Sequence, residues 1–99
     1  MVKVIVMNTR CYKEDALAAV VQIAGLEEVE IVKLLSGGFH LRVKVKSHVE
    51  PFYVATQRHT NEPRLFKKID AVVAVAVKLF GEDCRFVVRS DPPIKYDIQ

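Results

Sequence analysis

The stretch FHLRVKVK, Phe39 to Lys46, alternates without a break. Phe39, Leu41, Val43 and Val45 are apolar, while His40, Arg42, Lys44 and Lys46 are imidazole or cation. A period of two belongs to a β-strand with one buried face. This strand sets its apolar row on a core and turns a basic row the other way. An apolar sheet face must be covered by a second layer, so the rest of the chain has to supply one.

Upstream, Ser36-Gly37-Gly38 reads as a hairpin turn, because glycine adopts the positive φ such turns need. The turn leads back to EVEIVKLL, where Val29 and Ile31 alternate with Glu30 and Val32, a partner strand. Downstream, Pro51 breaks the pattern and FYVATQR, Phe52 to Arg58, resumes it. RLFKK, Arg64 to Lys68, reads as a further short strand after the turn-rich HTNEP. Leu17, Val20, Val21 and Ala24 recur at helical spacing between Lys13 and Ala24, and Gly25 is a natural stop. AVVAVAVKLF is ambiguous in period, since its valines alternate as in a buried strand. Three alanines, its length, Asp70 before it and Gly81 after it favour a helix. Val2 to Met7 and CRFVVR supply strands near the two ends, and NTRCYKED reads as a connection. Pro92 and Pro93 exclude ladder pairing in the last residues.

The expected order is β-α-β-β-β-β-α-β: an α+β fold with a mostly antiparallel sheet of about six strands and both helices on one face. Residues 1–90 form the single domain and 91–99 an extended tail. Two segments resemble each other, RCYKEDALAAVVQIAGLEEVEIV and RLFKKIDAVVAVAVKLFGEDCRFVV. Each runs Arg, an apolar–aromatic–Lys triplet, Asp-Ala, an apolar helix, Gly, acids, then a strand. Duplication and two generic helix entries explain this equally well.

With 51% apolar and 27% charged residues, the 99-residue chain falls in the globular class. No apolar run reaches the roughly 18 residues of a membrane span, and the start of the chain alternates too much for a signal peptide. A cytoplasmic protein is expected. Cys11 and Cys84, far apart, read as reduced and partly buried thiols. The net charge of +3 is unevenly placed: residues 39–68 hold seven Lys or Arg against two acids, +5, leaving −2 elsewhere. Segregated positive charge suits a polyanionic partner.

No catalytic constellation emerges. His40, His48 and His59 lack metal-ligand spacing with one another and with the cysteines. SGGFH lacks a phosphate-loop signature, and Glu27, Glu28 and Glu30 read as a solvated cluster beside a turn. No enzyme activity, metal or cofactor is expected. The basic block does hold groups that contact nucleic acid: Arg42, Lys44, Lys46, Arg58, Arg64 and Lys67 as cations, Gln57 as an amide, Tyr53 as a stacking surface. Alternating cations also serve simply to solubilise a sheet face and protect its edges.

Residues 39–81, read as three antiparallel strands and a helix entered by RLFKKIDAVV, resemble the three-stranded-sheet-plus-helix DNA-binding domains of ethylene-response-factor and integrase-arm type. The EPRLFKKIDA run is similar to short proteins of plasmids and other mobile elements. The resemblance implies that Arg42, Lys44, Lys46, Arg58 and Arg64 contact DNA from the sheet. The chain departs from those domains in lacking a tryptophan and in carrying a strand–helix–strand ahead of them.

The helix from Ile69 to Phe80 is apolar nearly all round. Covering a sheet needs only a stripe, so Ala71, Val75 and Leu79 are surplus, to be buried by the first helix or by a second subunit. Two function classes therefore stand. One is a small nucleic-acid-binding accessory protein that contacts DNA or RNA through a basic sheet face. The other is a protein-interaction or inhibitor-like module, homodimeric through Ala71, Val75 and Leu79, that docks an acidic partner surface.

Overall fold

A computed structural model describes residues 10–56, 58 and 62–91. The described order is β1 (Arg10–Tyr12), α1 (Glu14–Ala24), β2 (Leu26–Leu34), β3 (Phe39–Val45), β4 (Phe52–Val54), α2 (Ile69–Phe80) and β5 (Phe86–Asp91). The strands form one sheet in the order β1-β4-β3-β2-β5. β3 runs antiparallel to both β2 and β4, whereas β1 pairs with β4 and β5 with β2 in parallel.

The α+β class stands, with a correction: the sheet is mixed and has five described strands. Parallel neighbours need a long crossover, and each helix provides one. α1 carries the chain from β1 past β4 and β3 to β2; α2 carries it from β4 past β3 and β2 to β5. β1 occupies part of the expected connection NTRCYKED, and the expected strand at Val2–Met7 lies outside the described residues. RLFKK is not a strand. Phe66 makes an isolated antiparallel bridge to Phe39, in the sheet position that β4 vacates when it ends at Val54. The tail from residue 92 also lies outside the described residues.

The alternation of FHLRVKVK reads through into the structure. Leu41, Val43 and Val45 are fully buried with Val29 and Ile31 of β2, Phe52 and Val54 of β4, Leu17 of α1, and Val72 and Ala76 of α2. That single cluster fixes both helices on one sheet face. His40, Arg42 and Lys44 alternate with the buried set and so belong to the opposite face.

The two crossovers match in detail. A lysine in extended conformation precedes each helix, Lys13 and Lys68, with no side-chain cap. Asp70 lies inside the first turn of α2, not at its cap. Each helix ends on a glycine of positive φ, Gly25 and Gly81, whose N–H donates to the carbonyl of a valine four residues back. The β2–β3 turn uses positive φ at Gly37 and Gly38, as the sequence predicts.

Candidate nucleic-acid interface

The site is built by register. In the β2–β3 hairpin, Glu30 faces Arg42 and Glu28 faces Lys44. The parallel β2–β5 pairing places Arg89 opposite Val32, one same-face step from Glu30. On β4, Tyr53 faces Arg42. Five charged side chains and one phenol from four neighbouring strands therefore share the helix-free face.

Glu30 is the centre. It is 1% exposed, and its two oxygens accept hydrogen bonds from different arginines. Arg42 Nε donates to Oε1 and Arg89 Nε to Oε2, both at 2.5 Å. Lys44 Nζ stands 3.9 Å from Glu30 and 3.7 Å from Glu28, and Arg89 Nη2 reaches Glu28 at 3.3 Å. Arg42 Nη1 donates to the Tyr53 hydroxyl at 3.1 Å. Burial alone would push the Glu30 carboxyl up, but the bonds and charges of Arg42, Arg89 and Lys44 outweigh it and hold the group below the ordinary carboxylate range. Burial likewise opposes the Arg42 cation, and Glu30 and Tyr53 more than offset it.

Each guanidinium is thus pinned by its Nε edge. Among the described residues, Arg42 Nη2 and Arg89 Nη1 make no hydrogen bond. The His40 ring meets Tyr53 edge to face, centroids 5.8 Å apart, and Arg42 Cζ is 5.8 Å from the Tyr53 centroid. The result is a mixed-charge plate, three cations to two carboxylates, edged by aromatic rings.

Of the eight residues predicted to contact nucleic acid, Arg42, Lys44 and Tyr53 come together here. Lys46 lies just past β3, exposed, its N–H bonded to the Gly25 carbonyl. Arg58 and Lys67 are exposed in loops and form no ion pair among the described residues. Arg64 belongs to the other side: it pairs with Glu14 of α1 and lies over the buried Phe66 ring, 4.5 Å from its centroid. Gln57 lies outside the described residues. Sequence reasoning passed over Glu28, Glu30 and Arg89. A tight turn at Ser36–Gly38 already implies that Glu30 faces Arg42, so the hairpin carried a usable signal; the approach of Arg89 depends on the β2–β5 crossover.

Elsewhere, Ala71 is exposed, while Val75 and Leu79 are half-buried against the core. An open groove of about 390 Å³ between α1 and the end of α2 is lined by Ala18, Val21, Gln22, Leu26, Leu79 and Phe80. Burial raises the pKa of both cysteine thiols, with Glu62 adding to the effect at Cys11. No group of three His, Cys, Asp or Glu among the described residues is placed to hold a metal ion. No helix among them is long and apolar enough to cross a membrane. Comparison with known protein families, with curated proteins and with solved structures finds no match.

Proposed function

We propose that this protein is a small nucleic-acid-binding protein that contacts phosphates through the sheet face centred on Glu30. One observation carries the reading: a buried carboxylate fixes Arg42 and Arg89 by their Nε edges and leaves a terminal nitrogen of each for an acceptor. That remaining nitrogen is a single charged donor suited to a phosphate oxygen, and a guanidinium already held in place loses less freedom on binding. Lys44 adds a third cation, and Lys46 stands exposed just past the end of β3. The reading assigns binding rather than catalysis.

The test is titration of DNA and RNA against salt. Affinity should be measurable at low salt and fall as salt rises. Undetectable binding at low salt, or affinity indifferent to salt, sinks the reading. The informative variants are Lys44→Gln and Lys46→Gln, which should weaken binding while the fold persists. Arg42→Glu is unsuitable. The strand pattern alone presents Arg42 as solvent-facing and open to charge reversal, but a carboxylate there would stand beside Glu30 and remove one of its two guanidinium partners.

A second reading, a protein-interaction module, is favoured by the apolar groove between the helices and by Ile23 beside it in sequence, 87% exposed. Light scattering tests the homodimer form: a strict monomer at high concentration counts against it.

A further inference from the structure

Resting on the nucleic-acid reading, we infer that the partner is single-stranded, lying flat across the sheet from β5 to β4 with an unpaired base stacked at Tyr53. Charge is the first argument. The plate holds Arg42, Lys44 and Arg89 against Glu28 and Glu30, so its formal charge is only +1. Duplex binding without base readout draws its affinity from neutralising many phosphates, and this plate neutralises few. Affinity has to come from elsewhere, and the adjoining groups are π surfaces. Tyr53, the His40 ring edge-on to it and the Arg42 guanidinium form one contiguous patch. Base stacking on such groups is worth about tenfold or more per base and needs bases that are not already stacked inside a duplex.

Shape is the second argument. Arg42 is held down on the sheet by Glu30, its side chain only 21% exposed, while Lys44 and Arg89 are 41% and 46% exposed. Cations lying this low meet a strand that lies on the sheet more readily than the convex backbone of a duplex. The helices offer no alternative reader. Among their exposed positions Lys78 is the one cation, and it is paired with Glu14; a major-groove helix needs a row of forked donors or amides.

The experiment is fluorescence anisotropy with mixed-sequence 12-nucleotide RNA and DNA, each single-stranded and as a duplex, at two salt concentrations. A single strand of either sugar should bind at least tenfold tighter than its duplex, with a shallow salt slope of about −2 for three phosphate contacts. Tyr53→Ala should weaken single-strand binding by about tenfold to a hundredfold, and Tyr53→Phe, which keeps the ring, should stay within about threefold of the parent. Should Tyr53→Ala fail to fold by circular dichroism, the unaltered protein still decides the matter. A 2-aminopurine base in the single strand must lose fluorescence on binding if it stacks. Duplex binding as tight as single-strand binding, no effect of Tyr53→Ala in a folded variant, or no change in 2-aminopurine overturns the inference while leaving nucleic-acid binding intact. Absence of binding to every oligonucleotide at low salt overturns the underlying reading as well.

Discussion

Glu30 and Arg89 stand 59 positions apart in the chain and share a 2.5 Å hydrogen bond across two parallel strands. The acid is buried, so its partners are also its solvation. Glutamine in its place keeps one acceptor oxygen but turns an NH2 toward the other guanidinium, where two donors then meet. Glu30→Gln should destabilise the protein by about 3 kcal/mol, in the range for breaking one side of a buried pair. Glu14 offers the control, since it pairs with Arg64 and the well-exposed Lys78. Glu14→Gln should cost about 1 kcal/mol or less. Urea unfolding of the two variants measures both.

The same group predicts a pH dependence. The folded Glu30 carboxyl ionises below its ordinary range, so in the window between its folded and unfolded pKa the unfolded chain binds more protons. Stability therefore rises with pH through that window. The contribution is complete above the ordinary carboxylate pKa of about 4.3 and is lost as pH falls through the lower folded value. In Glu30→Gln this part of the acid limb should be absent, which urea midpoints followed from about pH 6 downward will reveal.

Gly38 has a double constraint that its neighbour lacks. Its φ is +88°, and a Cβ there would stand 2.7 Å from Leu65 Cδ1 and 3.0 Å from the Phe66 carbonyl oxygen. Gly37, at φ +105°, has open space around it. Gly37→Ala should cost about 1 kcal/mol of backbone strain, and Gly38→Ala about 2–3 kcal/mol. The larger loss would also loosen the Phe39–Phe66 bridge, which amide exchange at Phe39 reports.

Leu17 is the one residue of α1 that is fully buried. Leu17→Ala should cost about 2–5 kcal/mol, whereas Ile23→Ala on the same helix, at a position 87% exposed, should fall within about 0.5 kcal/mol of the parent. Thermal midpoints separate the two outcomes.

Much of the architecture was legible in the sequence because most of its elements have a clean period. Phe39 to Val45 alternates, Leu17 to Ala24 repeats at helical spacing, and the Gly and Asp positions around Val72 decide a segment whose valines point both ways. β1 was hidden because Arg10–Tyr12 is three residues long and pairs with β4, 42 positions later, so nothing local marks it. RLFKK misled for the opposite reason: its composition suits a strand, but β3 lends it a single bridge at Phe39. Parallel pairing is set by where the helices carry the chain, and composition does not record that. In the candidate site, the basic row was plain and its neutralisation was not. Glu28 and Glu30 look like turn-flanking acids until the hairpin register brings them under Arg42 and Lys44.

The two crossovers that each skip two strands also bear on how the protein folds. The β2–β3 hairpin closes over a four-residue turn, while both outer strands dock only after a helix has traversed the sheet. Loop closure over long separations slows folding. The expected order is hairpin first and outer strands last. Val29→Ala and Val43→Ala, facing pairs in that hairpin, should slow refolding, whereas Phe86→Ala on β5 should chiefly speed unfolding. Stopped-flow rates for the three variants, with Phe86→Ala slowing refolding as the contrary result, decide whether the middle of the sheet acts as the nucleus.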